Sequence, residues 1–501
     1  MAYHFSKSRY CNGVQCPKML WMKEHFPEEF DDSVMNQAVL QTGNEVGDLA
    51  MGLFGDFTEV PFDKENLGAM LTKTQELLDA GTKVVCEASF SYEGCFCSVD
   101  ILKNCGNNVV ELYEVKSSSG VKDVYLDDVS YQYYVLSKLG FTVRKACLVY
   151  INTQYVRHGE LELDKLFNIK DLTAIAKDRL GEVESKIAEL RQYLEQAEEP
   201  AMAVGSQCSV PYKCGYFAHC AKGVLKDGER SVFDIHGMEQ ADKQALFDQG
   251  FITFEDLYKA GVLKGKYLQQ VEFEVKDMPP HIDAGEIRGF VKKISFPLYF
   301  LDFETFNPAV PLYDGSRPYQ QIVFQYSLHY MEKEGGELKH KEFLASPGTD
   351  PRRQVAEQLC KDIPLNVCTT AYNRAFEKTQ IKELAALYPD LSEHLTNIRD
   401  RIEDLMVPFQ KRWYYTKEMQ GSYSIKNVLP ALFPDDPSLN YHNLEGVHNG
   451  GEASSAFLTM QKMDKDELKK WRGYLLKYCG LDTFAMVKVW EKLQEAAGLR
   501  F

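Results

Sequence analysis

In the stretch CSVPYKCGYFAHC, Cys208, Cys214 and Cys220 recur at an even spacing, with aromatic side chains between them. An earlier stretch, SRYCNGVQCPKMLWM, carries Cys11 and Cys16. The chain opens with MAYHFSKSRY, which has none of the apolar core of an export signal, so its thiols are expected to stay reduced in the cytoplasm and to bind metal rather than form disulfides. Thiolates suit zinc or an iron–sulfur cluster. Structural zinc sites draw their cysteines in close pairs, which neither stretch offers, but His219 beside Cys220 keeps zinc open. The remaining cysteines are scattered and read as packing residues.

A first acidic set lies in SVDILKNCGNNVVELYEVKSSS. Asp100 falls near the end of one expected strand, Glu114 and Lys116 on the next, and NCGNN supplies the turn. Alternation puts Glu114 and Lys116 on one face, and hairpin pairing brings Asp100 alongside Glu114. Two carboxylates and the Val115 carbonyl can hold Mg²⁺ or Mn²⁺. Such an ion activates water and polarises a phosphodiester, while Lys116 orients the nucleophile or neutralises charge. The plainer alternative is a solvated Asp beside a surface Glu–Lys pair. Downstream, DDVSYQYYVLSKLG sets Asp128, Gln132 and Tyr133 on a helix.

A second acidic set begins with YFLDFETF, where Asp302 and Glu304 alternate with large apolar residues on a strand that must be buried. Burying both carboxylates costs several kcal/mol unless a cation or hydrogen bonds compensate. Further on come Asn373 and Glu377 at a helix start, Asp404 in IEDLMVPF, and Tyr478 and Asp482 in LKYCGLDTFAM. One helical turn places Tyr478 and Asp482 on the same face. Asp302 and Glu304 are the expected metal ligands. The polar, glycine-rich YHNLEGVHNGGEASSAF reads as an active-site loop in which His448 is a solvated loop residue.

These groups need an α/β, multidomain scaffold. A chain of 501 residues exceeds one ordinary core. Residues 1–225 combine an early helix, the strands VVCEASFSY, FCSVDILK, VVELYEVKS and ACLVYINT, and a helix over roughly 171–198. Residues 226–290 read as a small helical connector, and 291–501 as an α/β domain with strands FPLYFLDFETF and IVFQYSLHYME and then helices from Arg352 onward. No apolar run is long enough for a membrane span. The net charge of −16 argues against coating nucleic acid by bulk electrostatics, yet leaves room for a nuclease with a local basic groove. No phosphate-binding GxxxxGK[ST] loop is present.

With these motifs in hand, several resemblances stand out. The Asp100, Glu114, Lys116 hairpin followed by the Gln132 helix resembles the RecB-type branch of the PD-(D/E)XK nucleases, whose fold is restriction-endonuclease-like. Two features depart from that pattern: Gln132 is followed by Leu136 rather than Tyr at the fourth position, and QTGNEVGDLA lacks the usual helix histidine, with Glu45 as a substitute. One cysteine before this core and three after is the layout of the iron–sulfur nucleases, AddB-like and CRISPR-associated. That resemblance implies a [4Fe–4S] cluster on Cys16, Cys208, Cys214 and Cys220, stapling the ends of the domain. The second acidic set is similar to the DEDDy class of 3′→5′ exonucleases, with a ribonuclease-H-like, DnaQ-type fold. It implies metal ions held by Asp302 and Glu304 with Glu377 and Asp482 added to them, and a water oriented by Tyr478, with Glu377 standing where that class usually has Asp. The whole chain resembles a bacterial family named domain of unknown function 2779, on SKSRYCNGVQCPKMLWM, YEVKSSS, CSVPYKCGYFAHC, PLYFLDFETF and GSYSIKNVLP. Together the resemblances imply a two-headed, Mg²⁺- or Mn²⁺-dependent nuclease acting on DNA ends or single strands in repair, recombination or defence, with a helicase or similar protein as partner. Alternatives are a single active head beside a nucleic-acid-binding module, RNA as substrate, or a non-catalytic adaptor.

Overall fold

The computed structural model describes residues 5–35, 37–222, 224–226 and 228–499. The chain forms two compact units, one of residues 1–227 with 308–319, the other of 228–307 with 320–501. Against the three-part division expected from sequence, residues 228–290 group with the second unit and 308–319 with the first.

The first unit is built on a seven-stranded mixed sheet of β1 (Phe5–Ser6), β2 (Thr58–Glu59), β3 (Val84–Tyr92), β4 (Cys95–Asn104), β5 (Val109–Lys116), β6 (Thr142–Ile151) and β7 (Phe167–Asp171). The order is β2-β3-β4-β5-β6-β7, with β1 alongside β4. Strands β3, β4 and β5 form an antiparallel meander, and β6 runs parallel to β5. The β4–β5 turn closes through Gly106, Asn107 and Asn108, all at positive φ, a region that Gly and Asn tolerate. Helices α1 (Lys7–Gln15), α2 (Pro17–His25), α3 (Asp123–Lys138) and α4 (Leu180–Leu194) join one face of the sheet. Pro17 opens α2 at its first turn, where its missing N–H is not needed. Alternate strand residues go to opposite cores: Val85, Leu102 and Leu112 pack with Tyr10, Val129 and Leu190, whereas Val84, Ile101 and Tyr113 pack with Val46, Phe167 and Ala309. The long helix expected from about 171 is divided. Asp171 ends β7, a short helix spans Thr173–Asp178, and the chain breaks at Arg179, whose guanidinium is drawn 2.6 Å from Asp127.

The second unit has a five-stranded sheet of β9 (Leu298–Phe306), β10 (Ile322–Met331), β11 (Lys339–Leu344), β12 (Cys368–Ala371) and β13 (Ile402–Asp404), after a short β8 (His281–Ile282) that pairs with β14 (Tyr414–Tyr415). The order is β11-β10-β9-β12-β13; β9, β10 and β11 are antiparallel, and β12 and β13 are parallel to β9. Where sequence suggested only helices after Arg352, β12 and β13 intervene; at four and three residues they are too short to display alternation. The helices are α5 (Ala375–Leu387), α6 (Gly450–Thr459) and the long α7 (Lys465–Ala496), among shorter ones. Strand β9 is buried on both faces: Leu298 and Phe300 pack with Trp490 and Val489 of α7, and Tyr299, Leu301 and Phe303 with Val355, Leu359 and Ile381. The helices Gln240–Asp248, Phe254–Ala260 and Gly265–Val275 gather around Val232, Phe254, Leu257 and Val271. Among the described residues no helix is long and apolar enough to cross a membrane.

Candidate functional site

The β4–β5 hairpin and α3 bring Asp100, Glu114, Lys116 and Gln132 together in the first unit. Glu114 is 1% exposed and accepts on every side: Oε1 from Lys116 at 2.8 Å and from Lys7 at 2.5 Å, Oε2 from the fully buried Gln132 at 2.6 Å. Lys116 also pairs with Asp128 at 2.6 Å, and Asp100 Oδ2 accepts the Val115 N–H at 2.6 Å. Burial pushes Asp100 up to about 7, helped by the Glu114 charge. Burial acts the same way on Glu114, but Lys116 and Lys7 outweigh it and hold that carboxyl down at about 2. Lys7 from α1 and Glu87 from β3 were not foreseen. Glu87 adopts a φ of 55° where the β3–β4 pairing skips, and its charge acts on Asp100. Glu45 does not join: it is exposed and hydrogen-bonded by Gln41. Cys11 donates to Asp128 at 3.2 Å, so it serves this site rather than the other thiols.

Cys16, Cys208, Cys214 and Cys220 line one small pocket, with Met19, Met202 and Phe217 around them. Cys16 ends α1 and starts α2; the others lie on the short turns of 206–221. Burial raises all four thiols, Cys214 to about 11. His219 lies 3.2 Å from Glu199 and 3.4 Å from Glu29. Among the described residues, the metal-type donors that converge in threes within 4.8 Å of one another belong to Asp302, Glu304 and Cys479; no three of the four sulfurs do so.

In the second unit, β9 carries Asp302 and Glu304 on the face toward α7, which brings Asp482 and the buried Tyr478. Glu377 comes from the first turn of α5 and is buried. All four carboxyls are raised, first by burial: Asp302 and Glu304 well above the usual range, Glu377 to about 8 and Asp482 to about 7. Asp482, Glu304 and Glu377 each push Asp302 higher through their charge. One oxygen each of Asp482 and Glu377 is buried without a hydrogen-bond partner. Tyr441, unforeseen from sequence, donates to Asp482 at 2.6 Å, and Lys426 is the cation whose charge lowers Glu304 and Asp482. Asp404 accepts the backbone N–H groups of Asn373, Arg374 and Met406 at 3.0–3.2 Å, fixing the start of α5. Tyr441 and Lys426 line a cleft of about 1070 Å³ whose wall includes Asn440, His442, His448 and Glu452. His448 is held there by Glu452 at 3.0 Å.

The family model described as "Domain of unknown function (DUF2779)" matches residues 299–424, a stretch that contains Asp302, Glu304 and Glu377. Among curated proteins, the chain is 28% identical to "Uncharacterized protein UU173" of Ureaplasma parvum serovar 3 over 203 residues, covering 38% of this chain and 29% of that protein. It is 27% identical to "Uncharacterized protein MG366" of Mycoplasma genitalium over 207 residues, covering 38% and 31%. The chain thus spans about a third of the length of the curated relatives it matches. No solved structure matches the chain.

Proposed function

We propose that the chain is a metal-dependent nuclease acting on DNA ends or single strands, with its principal hydrolytic site at Asp302, Glu304, Glu377 and Asp482. The observation that carries this reading is a set of four crowded carboxyls, none protected by a close ion pair among the described residues, with buried oxygens left unpartnered. Such a set is costly unless cations join it; its carboxylate oxygens suit Mg²⁺ or Mn²⁺, and the Cys479 sulfur lies within 4.8 Å of Asp302 and Glu304. Bound there, divalent ions would supply the Lewis acidity that activates water and stabilises charge on the phosphate. The chain's own residues then do the positioning. Tyr441 orients Asp482, Tyr478 lies beside the acids, and Lys426 offers a positive charge to a phosphate entering the cleft. The sheet order β11-β10-β9-β12-β13, three antiparallel strands followed by two parallel ones, supports a ribonuclease-H-like fold of DEDDy type.

For the first unit we propose a RecB-like PD-(D/E)XK fold, supported by the β3–β4–β5 meander joined through α3 to the parallel β6. Asp100, Glu114 and the Val115 carbonyl would hold its ion. The four cysteines support a [4Fe–4S] cluster over zinc, because one zinc ion would draw all its thiolates to roughly 3.8 Å of one another, and no three of these sulfurs lie within 4.8 Å of one another. A second reading, in which only the second unit cuts, is favoured by the saturation of Glu114 by Lys7, Lys116 and Gln132. Cleavage of end-labelled single-stranded DNA with Mn²⁺ tests both: Asp302→Ala is expected to lower the rate by at least a hundredfold, and Asp100→Ala separately reports the other site. Undiminished cleavage in Asp302→Ala would overturn the assignment.

A further inference from the structure

We propose that Lys7 is a built-in counter-ion of the first unit's acidic site, seated on Glu114 in the metal-free protein and displaced when a divalent cation binds Asp100 and Glu114. The inference rests on the metal reading of that site. Lys7 is delivered with little freedom. Phe5 and Ser6 pair with Cys95 and Phe96 of β4, the strand that bears Asp100. The Ser6 hydroxyl then caps α1 by accepting the Arg9 N–H, so Lys7 is the first helical residue. Its ammonium reaches across to Glu114 Oε1 at 2.5 Å, the oxygen that also accepts from Lys116 at 2.8 Å.

Two ammonium groups on one carboxylate oxygen repel each other, and the pairing holds only because Glu87, Asp100 and Asp128 lie close by. The two lysines differ in what else they hold. Lys116 keeps a second partner, Asp128 at 2.6 Å, whereas Glu114 is the one ion pair of Lys7 among the described residues. Mg²⁺ or Mn²⁺ approaches carboxylate oxygens to about 2.1 Å and carries two charges. An ion held by Asp100 and Glu114 would compete with both lysines for the Glu114 carboxylate. Lys116 stays anchored on Asp128, and Lys7, repelled and deprived of its one ion pair among the described residues, leaves. Lys7 is thus a positioning residue that keeps the acids together while no metal is bound and sets how much metal is needed to replace it.

The test is amine labelling of the full-length protein, read by mass spectrometry, with and without Mn²⁺. Labelling of Lys7 is expected to rise at least threefold when Mn²⁺ saturates, while Lys18, paired with Glu199 at 2.6 Å, stays constant as a reference. In an Asp482→Asn background that silences the other site, Lys7→Gln is expected to lower the Mn²⁺ midpoint measured by calorimetry at least fivefold. Unchanged or reduced labelling of Lys7 with Mn²⁺ overturns the inference, even where Lys7→Gln does not fold; so does a midpoint within twofold of the parent. Asp100→Asn separates the two claims. Loss of Mn²⁺ binding in that variant, with wild-type Lys7 labelling unmoved by Mn²⁺, leaves the metal site standing and removes the role of Lys7. Unaltered Mn²⁺ binding in Asp100→Asn removes both.

Discussion

Replacing Asp482 by Asn is expected to stabilise the metal-free protein while abolishing cleavage. In the fold, burial lifts this carboxyl from 3.8 to about 7 against the opposing pull of Tyr441 and Lys426. A group whose folded-state value is raised makes the folded state bind more protons than the unfolded one. Stability is then full below about pH 4, falls through the interval up to about 7, and stays low above it. At ~1.4 kcal/mol per pH unit, the loss for Asp482 is on the order of a few kcal/mol. Asn keeps the shape and the hydrogen-bonding capacity at that position without the charge. Thermal unfolding of chelator-treated protein between pH 5 and pH 8 reads the effect. The wild type should lose several degrees across that range, and Asp482→Asn should lose less and melt higher than wild type at pH 8. Saturating Mn²⁺ should close the gap from the other side, raising the wild type by mass action and the variant little. A flat wild-type profile, or a variant that melts lower at pH 8, would refute the idea that these acids are held together against their charge.

Two further outcomes follow from the same geometry. Tyr441→Phe removes a hydrogen bond that favours the charged form of Asp482, so the acidic limb of the cleavage pH profile should move upward by about one pH unit; an unmoved limb would detach Tyr441 from the reaction. Cys214→Ser should cost the anaerobically purified protein its brown colour and iron content and lower the unfolding midpoint of the first unit, as measured by absorbance, iron analysis and calorimetry; a colourless, zinc-bearing wild type would instead favour the rival metal.

Much of the hairpin site was legible because its residues are close in sequence: alternation alone set Glu114 and Lys116 on one face, and the NCGNN turn brought Asp100 to them. Lys7 was not, since a short strand paired to β4 delivers it and no periodicity links it to Glu114. Glu87 escaped because a positive φ turns it out of the alternation of β3. In the second unit, acids among large apolar residues on β9 announced an unusual burial, and helical spacing placed Tyr478 near Asp482. The part played by Asp404 was not legible, because an acid that caps a helix start and an acid that binds metal look alike in one dimension. Tyr441 and Lys426 sit in loop and helix segments whose approach to Asp482 depends on tertiary packing.

The segment 308–319 bears on how the molecule is made. It follows β9 directly, yet Ala309 and Val310 belong to the core of the first unit, Arg157 donates to the Pro311 carbonyl at 3.1 Å, and the Tyr319 hydroxyl donates to the carbonyl of Ser117, next to Lys116. A nascent chain that has emerged as far as residue 227 therefore lacks a piece of its first unit. At ~5–20 residues per second, synthesis of the roughly 90 residues that complete it takes about 5–18 s. During that interval the wall that will receive Ala309 is open, and the first part of the protein to be translated is not the first part to be finished.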